Sequence, residues 1–164
     1  MAGGSVIIAI DPGTTQSAYL VMVGGKIDSH GKVSHEEIIS IIRGREVDLV
    51  VCEMIASYGM PVGAEIFDTC LWIGEYRRTC KSLGIAWEVI TRNEVKQRLC
   101  HRTSKVNDAV IRQRLLDMYG GKALAIGNKA NPGELYGIKA DVWAALAVVK
   151  TWEANPASNR NGTP

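Results

Sequence analysis

The chain has 164 residues, 46% hydrophobic and 22% charged, with a formal net charge of +2. That length predicts one domain, residues 1–155, with a core that needs no disulfide staples, because a chain of roughly 150 residues buries about 70% of its unfolded surface. No apolar run approaches the roughly 20 residues of a membrane span, no secretory signal opens the sequence, and four cysteines without a CxxC pair beside three histidines argue against zinc.

The expected setting is therefore the cytoplasm, where Cys52 and Cys70 serve as small apolar side chains. Val6 to Asp11 reads as a central strand, apolar on both faces and ended by an acid and the turn Pro12-Gly13-Thr14-Thr15. Ala18 to Val23 and Lys26 to Val33 read as two more strands joined by a hairpin at Gly24-Gly25, which makes the first strands antiparallel. Ser34, with Glu37 three residues on, predicts an N-cap for a helix with Ile38, Ile39, Ile41 and Ile42 on its apolar side, ending near Gly44.

A second acid-tipped strand runs from Val47 to Glu53, and the helical crossover before it predicts parallel pairing with the first. Its carboxylate then lies at the same sheet edge as Asp11. After a loop from Ile55 to Pro61, a helix should reach Leu83 and stop at Gly84, carrying Ile66, Cys70 and Ile73 beside a row from Phe67 to Leu71. Ile85 to Ile90 is the next strand, and Asn93 is the expected cap of a short helix containing Val95, Lys96 and Leu99. Ser104 precedes a longer helix, Val106 to Tyr119, with Val110, Ile111, Leu115 and Met118 on one side, closed by Gly120-Gly121.

Lys122 to Gly137 has no clear period and reads as an irregular loop. The last helix should begin near Lys139 or Ala140 and end before Pro156, with Val142, Leu146 and Val149 in register and a disordered tail over 156–164. The order of elements gives an α/β architecture: a mixed sheet of three antiparallel strands and then parallel strands, flanked by helices.

Three acids, Asp11, Glu53 and Asp141, thus fall at element ends, where a fold can gather them. Oxygen ligands from separate elements suit a hard divalent cation, and two such ions about 3.5 to 4 Å apart can drive phosphodiester cleavage without a histidine or serine nucleophile. Taken singly the acids say less: Asp11 in Asp-Pro-Gly is also a good turn residue, and Asp141 also suits a helix dipole. Between Arg92 and Arg114 seven basic residues face two acids, so a chain of net charge +2 carries a local excess of five there. That stretch is either a solvated helix face or a phosphate-binding surface.

Ile10-Asp11-Pro12-Gly13, the strand ending in Glu53, the Glu94-Val95-Lys96-Gln97 stretch and Ala140-Asp141 leading into Ala144-Ala145-Leu146-Ala147 together resemble the RuvC family of Holliday-junction resolvases, over about residues 5 to 152. Cys52 to Pro61 resembles the phage and prophage branch. The resemblance implies a ribonuclease H-like fold and a homodimer that cuts four-way or branched DNA. It also implies Mg2+ or Mn2+, two ions per site, on acids matching Asp11, Glu53 and Asp141. Each subunit would nick one strand and leave 5′-phosphate and 3′-hydroxyl ends. Members commonly carry a further acid three residues beyond the one matched to Asp141; this chain has Ala144 there, and Glu134 is the other loop acid within reach of the idea.

On that reading Lys96, Arg98, Arg102 and Lys105 face phosphates, with Lys105 near the family's lysine at the cleaved phosphate but shifted in register. Tyr58 or Met60 either wedges against an unstacked base or packs a closing loop. Three other readings stay open. Asp11 to Ser17 also looks like the first phosphate loop of sugar kinases and actin-like ATPases, although no second such loop follows. The same fold could act on flaps, forks or RNA, or the chain could bind junctions without cutting them.

Overall fold

The computed structural model describes residues 3–155, so the expected tail over 156–164 lies outside the described residues. Five strands form one sheet: β1 (Val6–Asp11), β2 (Gln16–Val23), β3 (Lys26–Ser34), β4 (Leu49–Met54) and β5 (Ala86–Thr91). Their order is β3-β2-β1-β4-β5, antiparallel across β3-β2-β1 and parallel across β1-β4-β5. This is the mixed sheet that the element order predicts, and β1, apolar on both faces, sits at its centre.

Helices α1 (His35–Arg43) and α2 (Ala64–Leu83) cover one face, against Ile8, Ile10, Val50 and Cys52. Ser34 caps α1 by accepting from the Glu37 amide at 3.2 Å. The other face carries α3 (Arg92–Cys100), α4 (Asp108–Met118), the short α5 (Lys122–Ile126) and α6 (Val142–Glu153). α6 is nearly all apolar, and Ala145, Leu146, Ala147, Val148 and Val149 are all buried, against Ile7, Ala9 and Val51 of the sheet. Each large aliphatic side chain so buried contributes about 1.5–3 kcal/mol, and the alanines let the helix approach the strands closely.

Several boundaries differ from the sequence expectation, each for a local reason. The buried stripe of α2 is Thr69, Ile73, Tyr76 and Cys80, while Phe67 and Leu71 of the expected row face solvent at 60% and 71% exposure. Polar members of that stripe find partners inside, which hydropathy does not register: Thr69 Oγ1 donates to the Glu65 carbonyl at 2.9 Å. α3 is capped by Thr91 rather than Asn93, through a capping box with Glu94. Asn107, not Ser104, caps α4, and its buried residues are Ile111, Leu115 and Leu116, with Met118 exposed.

Lys122 to Gly137 is not wholly irregular. It contains α5 and a bridge between Gly127 and Pro132, and it buries Ala125 and Leu135 under the α6 face. Among the described residues no helix is long and apolar enough to cross a membrane.

Candidate active site

Parallel pairing of β1 with β4 runs to Ile10 opposite Cys52, so the next residues, Asp11 and Glu53, arrive side by side at one edge. Both lie two positions beyond residues of the α6 face, Ala9 and Val51, and strand alternation sends them to that face too. Their carboxyl groups lie close enough to interact directly, by charge and, when one is protonated, by a shared hydrogen bond. Burial, first, and then the bond and charge of Glu53 push the Asp11 carboxyl up to about 8; the charge of Asp141 adds to the rise and Arg92 opposes it. At neutral pH and without a cation, the pair holds a proton.

The turn after Asp11 is tied down from beneath. The Gly13 amide donates to Ser17 Oγ at 3.3 Å, and a Cβ at Gly13 would meet the Gln16 carbonyl at 2.3 Å, so only glycine fits. Ser17 Oγ lies 2.9 Å from the Tyr76 hydroxyl, which lies 2.6 Å from His35 Nδ1. The other ring nitrogen, Nε2, donates to the Thr14 carbonyl at 3.0 Å, which leaves Nδ1 to accept from Tyr76. His35 stacks on Trp72, with ring centroids 4.5 Å apart. Ser17, Tyr76 and His35 are buried, so the network links β2, α1 and α2 to both sides of the turn.

Asp141 approaches from the opposite wall. Ala140 takes a left-handed φ of 48°, a strained choice for a residue with a Cβ, and turns the chain into α6. Asp141 occupies the cap position but its side chain caps nothing. It binds Lys32 instead, with Nζ to Oδ2 at 2.5 Å. Arg92, the first residue of α3, borders two cavities: one of about 250 Å3 with Asp11, Glu53 and Tyr58, and one of about 370 Å3 with Asp141, Ala144, Trp143 and Asp108. Its guanidinium is paired with Asp108, and Arg112 lies over the Trp143 ring at 4.7 Å.

The predicted DNA-contact residues divide. Lys96 is half-buried and Arg102 and Lys105 are exposed, with no ion pair holding them among the described residues. Arg98 is bonded to Glu94 one turn back at 3.1 Å. Tyr58 reaches over the Asp11–Glu53 cavity, and its hydroxyl accepts from the Asn93 amide at 3.1 Å; Met60 stands 70% exposed beyond it. Glu134 accepts from the Ile27 amide at 3.3 Å and pins its loop to β3. Sequence reasoning placed Arg92 only in a basic stretch and missed Lys32 and Asp108 as residues of the cleft, because cross-strand or interhelix packing rather than a local motif brings them there.

No family model matches the sequence, and no curated protein matches it either. Solved structures do match. The chain superposes on Thermus thermophilus RuvC in complex with a Holliday junction substrate with a TM-score of 0.66 at 15% identity, covering 97% of both chains. The chain has the RuvC fold. Thermus thermophilus RuvC alone gives 0.63 at 16% identity over 91% of this chain and 93% of that one. A Fowlpox virus resolvase complexed with Holliday junction DNA gives 0.53 at 11% identity, over 89% and 97%.

On this RuvC frame the donor set fits a hard divalent cation: two carboxyl groups from adjoining strands stand side by side at a cavity, Asp11 largely buried and raised by Glu53, with Arg92 only partly offsetting their charge. Among the described residues no three Asp, Glu, His or Cys side chains converge closely enough to cage an ion, and Asp141 is paired with Lys32. The raised Asp11 pKa predicts a pH effect on the metal-free protein. Its folded state holds a proton that the unfolded chain releases above pH 3.8, so its contribution to stability falls as pH rises from about 4 to about 8. Asp11→Asn should therefore melt higher than the wild type at pH 8 in chelator, with the gap closing toward pH 4. Equal melting temperatures at pH 8 would refute the strained pair.

Proposed function

We propose that this chain is a metal-dependent, structure-selective DNA endonuclease that resolves four-way junctions by paired nicks, acting as a homodimer. The observation that carries the reading is the juxtaposed Asp11–Glu53 carboxyl pair at adjoining ends of two parallel strands, with Asp141 near enough to add its charge to the rise of the Asp11 pKa. Of the three acids Asp11, Glu53 and Asp141, the first two are the carboxylates that would hold Mg2+ or Mn2+ directly, with Asp141 adding its charge from nearby. When bound, the cation polarises a phosphodiester and lowers the pKa of an attacking water.

The water oxygen bonds to phosphorus as the P–O3′ bond breaks. One water proton leaves to solvent, and the 3′ oxygen takes a proton, giving 5′-phosphate and 3′-hydroxyl ends. Arg92 stands at the cleft wall, where a guanidinium can bind phosphate oxygens once the substrate competes with Asp108. Lys96, Arg102 and Lys105 supply backbone affinity, with Arg98 steadying α3 through Glu94. Tyr58, anchored at Asn93 over the catalytic pair, is better placed than Met60 to stack on an unpaired base.

Paired cuts need two sites related by symmetry. Phe67 and Leu71 leave an apolar strip on the outer side of α2, which supports dimer formation there.

Three experiments test the reading. Wild-type protein with Mg2+ or Mn2+ should nick synthetic four-way junctions, whereas Asp11→Asn and Glu53→Gln should bind them with cleavage down by roughly a thousandfold; binding without nicking by the wild type would end the enzyme reading. On a cruciform plasmid, Phe67→Glu with Leu71→Glu should convert linear product to singly nicked circles, and unchanged linearisation would remove α2 from the interface. Lys96→Ala with Lys105→Ala should lower the slope of log affinity against log salt by about two phosphate contacts. An unaltered slope would free both lysines from that role.

A further inference from the structure

Asp11, Ala18 and Lys32 form one row across the sheet: Asp11 pairs with Ala18 on β2, and Ala18 pairs with Lys32 on β3. Directly paired residues project to the same face, here the one α6 covers. Ala18 offers only a methyl group, so the lysine stem can lie over it, and the ammonium reaches Asp141 at 2.5 Å while remaining close enough to Asp11 to feel its charge. One turn into α6, Ala144 lines the same cavity as Asp141 and provides no second carboxylate. Arg92 also reaches Asp11 with its charge, but it is paired with Asp108, and the two cancel in the sum.

The charges of the cleft can then be counted. Asp11, Glu53 and Asp141 bring three negative charges; one divalent cation and one ammonium bring three positive ones. A second divalent ion in addition to Lys32 would leave the cleft over-charged, with only neutral Ala144 where a fourth carboxylate could have balanced it.

We propose that Lys32 is a resident cation of the active site, standing in for a second metal ion, so that the cleft loads one divalent ion against Asp11 and Glu53. This rests on the nuclease reading. Lys32, steered by Asp141, would supply its ammonium hydrogens to the non-bridging oxygens of the scissile phosphate, a role no composition or motif signals. Its position on β3, with two strands between it and β4, explains why: only the sheet register brings it to the acids.

The test is a titration of the full-length chain with Mn2+ in the absence of DNA, with bound ion counted by electron paramagnetic resonance, together with junction nicking at saturating Mn2+. The wild type should bind one ion per chain. Lys32→Ala should bind Mn2+ roughly tenfold more tightly or take up a second ion, because Asp141 is released. Its nicking rate should nonetheless fall by roughly a hundredfold. Lys32→Arg should keep the one-ion stoichiometry and recover part of the rate. Two ions per wild-type chain with normal nicking would overturn the role of Lys32 and leave the nuclease standing. A Lys32→Ala chain with unchanged stoichiometry, affinity and rate would do the same. No Mn2+ binding and no nicking by the wild type would overturn both.

Discussion

Two carboxyl groups held side by side and partly dehydrated are the constraint around which the rest of the molecule is arranged. Were both charged at a separation of about 4 Å, they would repel by about 4 kcal/mol at an effective dielectric constant of about 20. That is comparable to the burial of one or two core aliphatic side chains, so the core layers on the two faces of β1 and β4 can sustain it. The parallel hydrogen-bond ladder leaves Asp11 and Glu53 no freedom to separate while both strands remain paired. Compensation comes from the periphery: Arg92, fixed by the Thr91–Glu94 capping box at the start of α3, and Lys32, reaching over Ala18.

The two faces of the sheet do different work for this pair. Beneath, the Ser17–Tyr76–His35 network holds the turn after Asp11 through buried side chains of β2, α2 and α1. Above, α6 closes over the same strands and ends its approach with Ala140 in a left-handed conformation, which delivers Asp141 to the opposite wall. The first arrangement fixes backbone; the second positions charge. Ser17 belongs wholly to the first.

Much of this was legible in the sequence because it is written in local terms. An apolar run ended by an acid, a Gly-Gly hairpin and a serine cap with glutamate three residues on each predict their element from neighbouring residues alone, and β1, the β2–β3 hairpin and α1 formed accordingly. The convergence of Asp11 with Glu53 also followed, from the handedness of a helical crossover. What escaped depends on partners distant in sequence. Tyr76 and Thr69 look like surface positions until their hydrogen bonds are known, which shifted the buried stripe of α2 away from Phe67 and Leu71. Leu135 and Ala125 gave no period, yet α6 supplies an apolar surface for them to cover. Lys32 and Asp108 carry no motif, and only register and interhelix packing make them part of the cleft.

The pairing of β1 with β4 has a consequence for how the protein comes into being. Val6 donates to the Asp48 carboxylate across a separation of 42 residues, and Asp11 meets Glu53 over the same span. Neither the β2–β3 hairpin nor α1, both of which can form from nearby residues, brings these acids together; only closure of the intervening loop does, and such non-local closure is the slow part of assembling an α/β chain. The Asp11–Glu53 pair is thus completed by the same event that completes the central sheet. A nascent or partly unfolded chain has its acids dispersed, and a cutting activity built on them would be confined to molecules whose folding has finished.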